Sequence, residues 1–95
     1  MNVISRKALR RFTAIHPAAV VALDHWYRVA RKAAWGNLAA VREDFPHADL
    51  VSPYTVFNIG GNRYRLVTRI DYRHKLIFVR HVLTHREYDK GKWKQ

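Results

Sequence analysis

The hydrophobic period of this chain changes once, near residue 54, and that single change restricts the fold to one class. Up to that point apolar residues recur at helical spacing, and beyond it they alternate. Ser5 is placed to cap a helix whose apolar positions are Ala8, Leu9, Phe12 and Ile15, with Arg6, Lys7, Arg10 and Arg11 on its other side. His16-Pro17 ends it. A second helix is predicted from about Ala18 to Ala34, with Ala19, Leu23, Trp26, Tyr27, Ala30 and one of Ala33 or Ala34 forming its buried stripe. Gly36 breaks that helix, and Asn37 caps a short third one in which Leu38, Val41 and Phe45 turn inward. Pro46 stops it, and His47 to Pro53 reads as a polar connector. Trp26 and Trp35 are expected in the core.

Thr55 to Ile59 then reads as a strand, Gly60-Gly61-Asn62 as a hairpin turn, and Arg63 to Ile70 as a second strand. Asp71 to His74 makes the next turn, and Lys75 to Leu83 a third strand. Asn2 to Ile4 is expected as an edge strand. The tail from Thr84 is polar and basic, a short helix or an extended arm. The order is β-α-α-β-β-β, an α+β fold with two to three N-terminal helices packed on one face of a small, largely antiparallel sheet. A chain of 95 residues supports one modest core, so residues 1–95 are expected to form one domain with a basic tail at about 84–95.

Charge narrows the partners. Eighteen Lys and Arg against seven Asp and Glu leave the chain at +11. Such an excess repels itself in the folded state and suits a polyanion, with nucleic acid first and an acidic protein second. No apolar stretch reaches the length of a membrane span, and MNVISRKALRRF has no apolar segment of the signal-peptide kind, so a soluble cytoplasmic protein with no membrane partner is expected. There is no cysteine, which removes disulfides and thiolate chemistry.

Alternation on the middle strand puts Arg63, Arg65, Val67 and Arg69 on one face and Tyr64, Leu66, Thr68 and Ile70 on the other. If helices cover the second face, the first is open and carries three guanidiniums. It reads either as a solvated strand face or as a phosphate-binding face, and like charges on one strand favour an anion among them. On the third strand, alternation groups Arg80 with Leu76, Phe78 and Val82, and His81 with Ile77, Val79 and Leu83, without saying which group is core.

The segment Thr84-His85-Arg86-Glu87-Tyr88-Asp89 offers His85 as a general base or acid, and Tyr88 as the same with a depressed pKa or as a stacking platform. RNA brings its own nucleophile, the 2′-hydroxyl. The plainer reading is that Thr84 and Glu87 form a capping box, and the two can coexist. The six histidines are scattered, so neither a metal nor another cofactor is expected. Gly60-Gly61-Asn62 joins two strands and is not a phosphate loop. Trp93 is the one tryptophan read as a partner contact.

Taken together, Val56-Phe57-Asn58-Ile59-Gly60-Gly61-Asn62-Arg63-Tyr64-Arg65-Leu66 and, further on, Thr84-His85-Arg86-Glu87-Tyr88-Asp89 resemble the HigB family, the RelE-like toxins of type II toxin–antitoxin systems. Ala34-Trp35-Gly36-Asn37-Leu38 and Asp44-Phe45-Pro46 resemble that family's middle segment. The resemblance implies a RelE-like fold and an mRNA interferase that acts on mRNA in the ribosomal A site by metal-independent attack of a 2′-hydroxyl. It also implies a helix-turn-helix antitoxin of the HigA type, which reaches operator DNA in complex with the toxin. Arg65 matches the strand arginine set against the scissile phosphate, and His85 and Tyr88 fall in the family's C-terminal polar cluster, which makes these three the catalytic candidates. Arg63, Arg69, Arg80, Lys90, Lys92 and Lys94 are expected as RNA backbone contacts on charge grounds. A reading from another class is a non-catalytic RNA- or ribosome-binding module that uses the same arginines only for grip.

Overall fold

A computed structural model of the chain describes residues 1–94. Strand β1 (Asn2–Ile4) leads into helix α1 (Arg6–Ile15), a 3-10 turn at Pro17–Ala19, helix α2 (Val20–Lys32) and helix α3 (Leu38–Asp44). Strands β2 (Asp49–Val51), β3 (Tyr54–Ile59), β4 (Tyr64–Asp71) and β5 (Leu76–Thr84) follow, then helix α4 (His85–Lys90) and a 3-10 turn at Lys92–Lys94. The caps read from sequence are in place. Ser5 accepts from the Lys7 amide, and Asn37 accepts from the Ala40 amide at 2.9 Å. At the other end of α2 the Met1 ammonium donates to the carbonyls of Ala30, Arg31 and Ala33 at 3.1, 2.9 and 2.6 Å. The Ala30 carbonyl also accepts from the Ala33 amide at 3.2 Å, and a cation at this helix end complements the helix dipole.

The strands form one sheet in the order β1-β5-β4-β3-β2, antiparallel except where β1 runs parallel to β5. The stretch read as a polar connector therefore contains a strand: Asp49–Val51 pairs with Tyr54–Val56 across a tight turn. Three residues with two of them exposed are too short and too wet to show a period. The tail is helical, not an extended arm. Among the described residues no helix is long and apolar enough to cross a membrane.

α1, α2 and α3 cover one face of the sheet. Leu9, Phe12, Leu23, Trp26, Ala30, Trp35 and Val41 meet Phe57, Ile59, Leu66 and Ile77 in the main core. Its centre is aromatic. The Phe57 ring lies 5.4 Å from Trp26, 6.2 Å from Trp35 and 5.3 Å from Phe45, mostly edge to face. The Trp35 indole N–H donates to Asp44 at 2.8 Å. Thr68 is fully buried, and its hydroxyl donates to the Thr55 carbonyl across the β3–β4 pair at 2.8 Å.

The alternation read on β5 fails at one residue. Val67 pairs with His81 and Thr68 with Val79, so Arg80 is an extra residue opposite that step, a β-bulge. Upstream of it Ile77 and Val79 face the helices. Downstream Val82 does so, while His81 turns to the outer face with Phe78 and Leu83. A strict two-residue period groups His81 with Ile77 and Val79, and the bulge separates them.

The outer face is not open along its length. Trp93 is buried there against Val56 and Val67, flanked by Tyr54, Leu83 and Tyr88, in a second, smaller cluster. Its indole N–H donates to the Tyr88 carbonyl at 2.9 Å, and the two rings stack at 5.0 Å. Trp93 is thus a packing residue rather than a free contact for a partner. Basic neighbours mark it as a partner contact in the sequence, while its burial comes from strands far away in sequence.

Candidate active site and nucleic-acid interface

α4 holds its six residues in register through its ends. Thr84 accepts from the Glu87 amide at 3.2 Å, and the Glu87 carboxylate accepts from the Thr84 amide at 2.9 Å, a complete capping box. These hydrogen bonds hold the Glu87 carboxyl below the usual carboxylate range. Gly91 ends the helix in the left-handed conformation at φ 73°, which a residue with a Cβ adopts at a cost. The His85 amide donates to the Arg63 carbonyl at 2.9 Å, tying α4 to the β3–β4 turn.

That tie brings two sequence-distant clusters together. His85 and Asp89, one turn apart, face each other, and Nδ1 of His85 lies 2.7 Å from a carboxylate oxygen of Asp89. A ring held through Nδ1 presents Nε2 outward, which is how a histidine is oriented for proton transfer. Tyr88 points to the sheet, with the Arg65 guanidinium 5.6 Å from its ring centroid. Partial burial, followed by the nearby Asp49 carboxylate, pushes the Tyr88 phenol above its ordinary pKa despite the opposing Arg65 charge. Of the two options read for Tyr88, a depressed pKa is therefore not the one its surroundings favour, and at neutral pH the phenol keeps its proton.

Arg65 is only 9% exposed. Its guanidinium donates to the carbonyls of Asn62 and Tyr64 at 3.3 and 3.1 Å and to the Asn62 side-chain oxygen. Of its five N–H groups these use three, leaving two. Among the described residues no carboxylate lies within ion-pair distance of it. A cation taken from water and given only neutral acceptors lacks its natural complement, an anion.

The predicted row of three guanidiniums on an open face is broken up. Arg63 belongs to the turn and not to β4, and it is exposed; Arg65 is buried beneath Tyr88; only Arg69, further along the strand, is exposed on the outer face. Arg80 is exposed at the bulge, next to Phe78. Lys90, Lys92 and Lys94 are exposed around α4, with the Lys94 ammonium 5.5 Å from the Trp93 ring centroid. Two further residues shape the site without standing out in the sequence. Asn62 read as a turn residue but anchors Arg65 from three positions away. Asp89 read as one polar group among several, although its i,i+4 spacing from His85 is a legible helix pair once the tail is taken as helical.

Chemically, the arrangement offers a cation for a phosphate, an oriented imidazole and a neutral phenol, around the joint between the β3–β4 turn and α4. Residues 19–91 match the family model described as HigB_toxin, RelE-like toxic component of a toxin-antitoxin system. The chain is 30% identical over 93 residues to the mRNA interferase HigB of Escherichia coli, covering 95% of this chain and 90% of that one. It is 28% identical over 92 residues to the mRNA interferase HigB of Shigella flexneri, covering 94% of this chain and 88% of the relative. The helices, the five-stranded sheet and the match across most of its length agree, and the chain belongs to the HigB family of RelE-like toxins.

Proposed function

We propose that this chain is an mRNA interferase, the toxin of a type II toxin–antitoxin pair. It cuts mRNA on the ribosome in the cytoplasm and is neutralised by a helix-turn-helix antitoxin of the HigA type, through which it reaches operator DNA. The observation that carries the reading is the Arg65 guanidinium, withdrawn from water without a carboxylate among the described residues and set beneath Tyr88. A scissile phosphate supplies the missing charge.

The reaction has few parts. His85, oriented by Asp89, takes the proton of the ribose 2′-hydroxyl. The freed oxygen attacks the adjacent phosphorus, and the bond to the 5′-oxygen of the next nucleotide breaks. Tyr88 donates a proton to that leaving oxygen, and a 2′,3′-cyclic phosphate and a 5′-hydroxyl result. Arg65 stabilises the charge that builds on the non-bridging oxygens, which is where preorganised donors contribute most. The nucleophile belongs to the substrate, so no metal is needed to generate it. Arg63, Arg69, Arg80, Lys90, Lys92 and Lys94 grip the RNA backbone.

Mapping mRNA 5′ ends after induction tests this. Wild type should arrest growth and produce new ends. Arg65→Ala and His85→Ala should lower cleavage by about 10²–10³-fold each, the usual cost of losing one such group. Asp89→Asn should act through the orientation of His85, lowering cleavage without weakening RNA binding. Full toxicity in both the Arg65 and His85 variants would remove the site. Growth arrest with no new ends would leave a binding module instead of a nuclease.

A further inference from the structure

The C-terminal segment covers only part of the outer sheet face. Beyond Trp93 the face ends in a recess of about 580 Å³ lined by Arg69, Asp71, Tyr72, Arg73, Phe78 and Arg80, among others. Arg69 and Phe78 are direct cross-strand partners on β4 and β5. The Arg80 guanidinium lies 5.8 Å from the Phe78 ring centroid, brought there by the bulge, and Arg73 rises from the β4–β5 turn. Arg69, Arg73 and Arg80 are exposed, and among the described residues none is paired with a carboxylate. The one acid in the lining, Asp71, is taken by the His74 backbone N–H at 3.0 Å and by its ring at 2.8 Å.

Three unpaired arginines around a half-buried aromatic ring have the composition of a single-strand nucleic-acid site. Phosphates require the cations, and an unstacked base gains from a ring or a guanidinium plane. The recess also lies on the same strand face as Arg65. Arg65 and Arg69 are four residues apart on β4, about 13 Å at the rise of a strand, so one RNA strand can contact both.

We propose that this recess is a subsite for single-stranded RNA, in which Phe78 and Arg80 stack on a base while Arg69 and Arg73 hold the flanking phosphates. It rests on the nuclease reading for its substrate, the mRNA strand leaving the scissile phosphate at Arg65. It adds Arg73 and Phe78 to the chain's RNA contacts and makes them, with Arg69 and Arg80, one site. A duplex keeps its bases stacked on one another, so it can use the arginines but not the ring.

The test is binding of a short mixed-sequence 2′-O-methyl RNA, which has no free 2′-hydroxyl to attack, followed by fluorescence anisotropy across a salt series. The same sequence as a duplex is run in parallel. Phe78→Leu should weaken single-strand binding roughly 5- to 100-fold, leave its salt slope unchanged and leave duplex binding alone. Arg69→Ala and Arg73→Ala should each reduce the slope of log affinity against log salt by about 0.7. Single-strand binding by folded Phe78→Leu at the wild-type level overturns the subsite. An unchanged slope in Arg73→Ala, a change confined to an exposed turn, overturns it even if Phe78→Leu fails to fold. Cleavage by wild type is scored separately, as new mRNA 5′ ends after induction in cells. Phe78-dependent binding without cleavage overturns the nuclease reading and keeps the subsite, and cleavage with Phe78-independent binding does the reverse.

Discussion

The two faces of β4 come from alternate residues of one strand and carry different duties. Tyr64, Leu66 and Thr68 look toward three helices and are sealed among aromatic rings. Arg65, Val67 and Arg69 look the other way. There a short tail covers Val67 with Trp93, sets Tyr88 over the buried Arg65 and leaves Arg69 uncovered. The inner face supplies the stability, and so the outer face is free to hold a buried cation that stability alone would not select. Stability and chemistry are thus separated by the thickness of a single strand.

Changes on the two faces should therefore fail in different ways. Phe57→Ala, at the centre of the aromatic core, is expected to cost about 3–5 kcal/mol and to lower the urea midpoint of the whole protein. Retention of the wild-type midpoint would mean that the inner face is not what holds the fold. Trp93→Ala removes a larger ring, but from a much smaller cluster. Its cost should lie nearer the low end of that range, about 3 kcal/mol. Its signature should be local: hydrogen exchange should accelerate in α4 well before it does in β3 and β4. Uniform acceleration would show that the outer cover and the core are one cooperative unit.

The smallest effect concerns the cap that sets α4 in place. Thr84→Ala should cost about 1 kcal/mol, read as a shift in thermal midpoint. Because hydrogen bonding lowers the Glu87 pKa in the folded state, its contribution is complete above the unfolded value. It is then lost as pH falls through the ordinary carboxylate range to the folded value. Glu87→Gln should flatten that part of the stability profile, and an unchanged acid limb would remove the capping box from the account.

The same contrast explains how much could be read in advance. The inner face was legible because β4 keeps a strict two-residue period and α2 a helical one, and Tyr64 and Leu66 on the strand and Trp26 on the helix fall where those periods place them. β2 was not, being three residues long and mostly wet. The reversal at Arg80 was not either, since a bulge is set by the partner strand and leaves no mark in its own sequence. At the site, Arg65, His85 and Tyr88 were visible as residue types. Their relations were not: Asn62 on Arg65, Asp89 on His85 and Trp93 beneath Tyr88 are made by the turn and the helix meeting.

The parallel pairing of β1 with β5 bears on when this protein becomes itself during synthesis. Asn2 has Leu76 for its neighbour, so the first strand to leave the ribosome waits for the last one before it has a place in the sheet. Contacts this distant along the chain form late and slowly. The helices can gather early, but a nascent chain stopped short of β5 has an unfinished edge and lacks the α4 residues as well. Whatever this protein does to RNA, it does only once its message has been read through β5 and α4.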